Sequence, residues 1–234
     1  MASLIQIFYD PAAVFAKVRE RGFWAVPLIV TALITMIFAF YITRTIGMDN
    51  VTRRFFEQHP SFASQLPPDK LEQAIQQSAS PTRVAIGAVT GGAMTAILSL
   101  IIAAILMVML SIMDRKPKLP QMLGTVAWAS FPFAVIACVM GVLILLVTKD
   151  PTELDPATLL ATNVGAFLDK NTTGKFMYSL AGSFDVLVIG KVLLLSFGMA
   201  KVTGIGFARA LTLVGSLWLV WVLLRGGFAT ATGF

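Results

Sequence analysis

From Val84 to Met113 the chain runs for thirty residues without a charge or a proline. As an α-helix rising 1.5 Å per residue, that run reaches about 45 Å, whereas the hydrocarbon core of a bilayer is about 30 Å thick. It predicts a transmembrane helix that is either tilted or begins among the headgroups. Further apolar runs predict spans over about residues 24–43, 121–147, 176–200 and 205–224, each long enough to cross lipid. Trp24 and Tyr41 bracket the first run, and Trp218 and Trp221 lie near the end of the last, where amphipathic rings meet headgroups. The pattern therefore predicts an all-α polytopic membrane protein, a five-helix bundle within residues 24–226 with short interfacial helices beside it.

Residues 1–23 read as an interfacial helix. Asp10 suits a cap, Pro11 the first helical position and Gly22 the C-terminus, and Val14, Phe15 and Val18 share one face. Residues 44–83 and 149–175 read as extramembrane loops with local helices. The first is too polar for a core of its own, and His59 within it reads as a surface residue. In the second, Asp155-Pro156 looks like a helix start, and Ala157 to Phe167 is apolar enough to lie on the membrane but too short to cross it.

Small residues predict where helices approach. Gly87 and Gly91 are four apart with Gly92 beside them, and Ala127, Ser130, Ala134, Ala137 and Gly141 recur every three or four residues, which makes one side of a helix nearly smooth. Pro132 frees the carbonyl of Trp128 and predicts a bend packed by neighbours.

Composition sharpens this picture. The chain is 57% hydrophobic and 13% charged, and a water-soluble fold of this length has nowhere to put so much apolar surface. One cysteine, Cys138, and one histidine exclude an intrachain disulfide and the usual thiolate or His-rich metal and haem sites, so no cofactor is expected. Cys138 reads as a packing residue. The first apolar run lacks the features of a removable signal peptide.

The net charge is +6, but the basic residues flank apolar runs, so the excess predicts membrane orientation and not nucleic-acid binding. Lys17, Arg19, Arg21, Arg115, Lys116, Lys118, Lys201 and Arg209 cluster on short connections. The long loops carry eight basic and eight acidic residues over 67 positions. Basic density thus predicts a cytoplasmic N-terminus and a non-cytoplasmic C-terminus. The triplets beginning at Asn50 and Asn171 match glycosylation acceptors on the far side, which matter only in a host that glycosylates such loops.

Asp185 and Lys191 are the candidate functional residues within the predicted fourth span. They are six apart, about 240° around a helix, so they are not an ideal intrahelical pair. A charge buried there needs a basic or hydroxyl partner, or a proton, while Lys191 can snorkel toward the cytoplasmic headgroups. Arg115, Lys116 and Arg209 are the other candidates, at the cytoplasmic face. No catalytic serine elbow, HExxH, phosphate loop or paired catalytic carboxylates occur.

Asp10-Pro11 and Phe15 ahead of the first span, Gly124, Trp128 and Pro132 in mid-chain, Asp185, the run Gly198 to Gly204, and Arg209-Ala210-Leu211 together resemble the Yip domain family, in its bacterial-type form. That family comprises five-span membrane proteins named for eukaryotic members that interact with Ypt/Rab GTPases. The eukaryotic relatives imply trafficking and membrane shaping. The chain lacks their Asp-Leu-Tyr-Gly-Pro element, and the bacterial-type members imply no reaction.

The leading expectation is a non-enzymatic protein of an inner (plasma) membrane. Gly87, Gly91, Ala134 and Gly141 would pack its helices, and anionic lipid, a protein partner or a second copy would meet its cytoplasmic face. A small transporter or channel lined near Asp185 and Lys191 is the alternative, and a lipid-modifying enzyme built from Arg115, Lys116 and Arg209 a second. A transporter needs a path to Asp185, whereas a scaffold needs that residue packed and hydrogen-bonded.

Overall fold

The computed structural model describes residues 2–58, 60–156, 158–169 and 172–232. His59, Ala157, Lys170 and Asn171 lie outside the described residues, and with them the surface reading of His59 and the second glycosylation triplet. The helices are α1 (Ala2–Gln6), α2 (Pro11–Arg21), α3 (Ala25–Ile46), α4 (Met48–Gln58), α5 (Pro60–Ala63), α6 (Pro68–Ser78), α7 (Pro81–Ile112), α8 (Leu119–Val147), α9 (Lys175–Ser183), α10 (Val186–Thr203) and α11 (Phe207–Thr232). Five of them, α3, α7, α8, α10 and α11, are long and apolar enough to cross a membrane.

The bundle is arranged around α8. That helix packs against α3, α7, α10 and α2, while α3 also lies along α7, and α10 along α11. Met122 through Pro132 are buried without interruption, so this half of α8 is surrounded on every side, as an all-round apolar helix requires. Pro132 lies inside α8, which continues to Val147. The α8 end near Leu119, α2, the 113–118 turn and the 204–206 turn form a basic face. At the other end, the loop face, α4 and α6 pack together and Ile46, Leu145 and Leu159 form a small second core.

The N-terminal helix is more than an interfacial flank. Asp10 caps α2 by accepting from the Ala13 N–H at 3.1 Å, and Gly22 closes it in the left-handed region at φ 62°, where glycine meets no Cβ penalty. Val14, Phe15 and Val18 are fully buried, wedged against α8 and α10. The sequence shows their shared face, but only packing supplies what it meets.

Two segments differ from the sequence expectation. The predicted fourth span over 176–200 is not one helix: α9 ends at Ser183, and α10 starts at Val186 with Asp185 as its cap. Among the described residues, 158–167 form no α-helix. An extended stretch leads into a short 3-10 turn, Val164–Phe167, capped by Asn163. Both departures arise from the same contact.

Candidate functional site

At that contact two extended segments meet. Asn163 and Asp185 form an antiparallel bridge, in which the Val164 N–H donates to the Phe184 carbonyl at 3.2 Å and the Val186 N–H to the Thr162 carbonyl at 3.1 Å. One Asp185 oxygen accepts from the N–H groups of Leu187 and Val188 at 2.8 and 3.1 Å. The other accepts from the Thr162 hydroxyl at 2.5 Å. Asp185 is therefore not stranded inside a span. It satisfies the first amide groups of α10, favoured by the positive end of the helix dipole, and clasps the 158–167 loop. The backbone closes in beside it, because a Cβ on Gly165 would lie 3.0 Å from the Gly182 nitrogen.

Asp185 is half-buried and has hydrogen bonds on both oxygens. Lys191 is half-buried on α10, and no hydrogen bond or ion pair joins it to Asp185 among the described residues. It stands about 9 Å along the axis from Asp185 and about 18 Å from Thr203, so it is closer to the loop face than to the basic one. Snorkelling toward the basic face would be the longer route.

Arg115, Lys116 and Arg209 are exposed on the basic face, at the opposite end from Asp185. The turn that carries the first two is set by Asp114, at φ 56°, and by the Arg115 N–H donating to the Leu110 carbonyl at 3.0 Å. No hydrogen bond links these three cations to one another among the described residues. No group of three or more His, Cys, Asp or Glu among the described residues could hold a metal ion. The structure thus divides the five candidates between two faces.

The small-residue positions also divide. A Cβ on Gly87 or Gly91 would meet nothing within 4 Å, whereas one on Gly92 would lie 2.9 Å from the Ala32 carbonyl oxygen of α3. Within the chain the close approach of α7 to α3 is made at Gly92, because the helix is rotated to present that residue inward. Gly141 lies under the Phe38 ring, and Ala134 is half-buried.

What sequence reasoning missed is the way the N-terminal helix is held on the basic face. The Trp128 indole N–H donates to the Phe23 carbonyl at 2.7 Å. The Gln121 amide donates to the Arg19 carbonyl at 2.6 Å and accepts from the Lys118 N–H at 2.9 Å. Phe15 lies on Gly198, where a Cβ would stand 2.5 Å from the ring, and Val18 lies on Gly124 at 2.9 Å. The available signals were Trp128 and Gly124 within an apolar helix, each awaiting a partner.

No curated protein matches the chain, and no solved structure matches it. A family model described as the Yip1 domain matches residues 5–227. With its five apolar helices already in view, that match covers nearly the whole bundle, and the chain belongs to the Yip1 domain family.

Proposed function

We propose that the protein is a non-enzymatic membrane organiser whose basic face engages anionic lipid headgroups, a protein partner or a second copy of itself. One observation carries this reading: both oxygens of Asp185, the best candidate for moving a proton or ion, already accept hydrogen bonds in capping α10 and clasping Thr162. A carboxylate committed to holding two segments together is a poor carrier, since releasing it would free the helix start. On this reading the chain is a bacterial-type family member of an inner membrane, with its N-terminus cytoplasmic. The density of Lys and Arg on the short connections supports the orientation, and the lack of the Asp-Leu-Tyr-Gly-Pro element counts against GTPase binding.

The transport alternative has one observation in its favour. Lys191 has no hydrogen-bond or ion-pair partner among the described residues, and ionisable groups in spans often mark pathways. Proteoliposomes loaded with a pH-sensitive dye separate the readings. Under an imposed potential, the wild-type protein and Asp185→Asn should leak protons no faster than protein-free vesicles. A protein-dependent proton flux that folded Asp185→Asn or Lys191→Met abolishes would overturn the organiser reading.

A further inference from the structure

Between the N-terminal helices, α8 and α10 lies an apolar groove of about 520 Å³, within the size range of small-ligand sites. Its walls include Phe8, Phe133, Ile136, Leu193, Phe197 and Phe207. Phe207 opens α11 at the basic face, while Gly190, at the other end of the groove, is about 20 Å up the axis of α10 from Thr203. The groove therefore runs from one membrane face past the middle of the bilayer, somewhat deeper than one leaflet, about 15 Å, of a core about 30 Å thick. Its long axis and apolar lining match a hydrocarbon chain, and among the described residues no polar side chain lines its walls to meet a peptide backbone.

Cations stand beside the groove, and the Asp10 carboxylate, next to the wall residue Pro11, is taken up in capping α2. The Lys201 ammonium stands 5.5 Å from the centroid of Phe197, itself a groove wall. Arg209 is exposed two residues beyond Phe207. Lys17 donates to the Ser3 hydroxyl at 3.2 Å and the Gln6 side chain at 2.9 Å, on the helix that leads into Ile7 and Phe8. Lys201 thus stands against a groove wall, and Arg209 lies two residues past the wall residue Phe207.

We propose that this groove holds one acyl chain of an anionic phospholipid, whose phosphate sits between Lys201 and Arg209. This rests on the organiser reading and narrows it, from general attraction to one lipid at one place. The N-terminal helices, which form one wall, would then be docked partly through that lipid.

The test uses the full chain in phosphatidylcholine vesicles containing a small fraction of phosphatidylglycerol with a photoactivatable diazirine on one acyl chain. The same probe on phosphatidylcholine is the control. Crosslinked peptides should concentrate on Phe133–Ile136 and Leu193–Phe197, with about tenfold more labelling by phosphatidylglycerol than by phosphatidylcholine. Leu193→Trp, on a half-exposed wall position, should abolish the preference by filling the groove. The double variant Lys201→Gln, Arg209→Gln, which alters only exposed groups, should reduce phosphatidylglycerol labelling to the control level. Labelling spread evenly over the lipid-facing sides of α3, α7 and α11, or equal for the two headgroups, would overturn the proposal. A protein that conducts protons yet labels in the groove loses the organiser reading and keeps this lipid. A flux-silent protein with even labelling does the reverse.

Discussion

The indole N–H of Trp128 donates to the main-chain carbonyl of Phe23, 105 residues earlier, over 2.7 Å. The two rings also pack, with centroids 5.4 Å apart. Trp128 is fully buried, so this bond holds the junction between α2 and α3 against the most enclosed part of the bundle.

Trp128→Phe keeps most of the packing but leaves the Phe23 carbonyl without its donor. A buried acceptor left unpaired costs about 1–3 kcal/mol. Thermal unfolding in detergent should show that loss together with faster proteolysis before residue 24. An unchanged melting temperature would mean that the bond contributes nothing net.

Asp185→Ala removes both the helix cap and the clasp, and a lost cap alone costs about 0.5–2 kcal/mol. Asp185→Asn keeps a capping oxygen and should be milder. Thr162→Val paired with Asp185→Ala in a double-mutant cycle should show coupling of about 0.5–3 kcal/mol, as contacting residues do. Additive effects would place the two side chains apart.

The glycines predict opposite outcomes. Gly198→Ala forces a methyl to 2.5 Å from the Phe15 ring, and overpacking of this kind costs about 1–3 kcal/mol. Gly87→Ala and Gly91→Ala meet nothing within 4 Å and should leave unfolding of the single chain within about 0.5 kcal/mol of wild type. If these two substitutions shift the crosslinked oligomer pattern instead, the exposed glycines mark a contact between copies.

On the loop face, the Asp150 carboxylate accepts from the Thr152 hydroxyl at 2.5 Å and from its N–H at 3.0 Å. The side-chain bond first, and then the backbone bond, holds its pKa below the usual carboxylate value. A depressed folded pKa means that this contribution is present above the unfolded value of about 3.9 and fades as pH falls through the folded one. The carboxyl carbon of Asp150, followed by NMR, should titrate below that of a free aspartate. In Thr152→Val the midpoint should move up. The Arg54 guanidinium, which donates to the Thr152 carbonyl at 2.7 Å, reports whether the loop stays docked on α4 during the titration.

Five spans could be read along the chain because lipid imposes a simple requirement: each crossing segment must be long, apolar and internally hydrogen-bonded. The cap at Asp10, the stop at Gly22 and the shared face of Val14, Phe15 and Val18 follow from local chemistry in the same way. Which neighbour each face meets does not, because it depends on how every helix is rotated and how far it slides. That rotation chose Gly92 over Gly87 and Gly91. The break before α10 was hidden for a related reason: residues 176–200 read as one apolar run, and Asp185 interrupts it by bonding to Thr162, 23 positions away, on a loop with no helical pattern of its own. Periodicity records only the neighbours within a turn or two, whereas a hydrogen bond across the bundle exists only once the chain has folded back on itself.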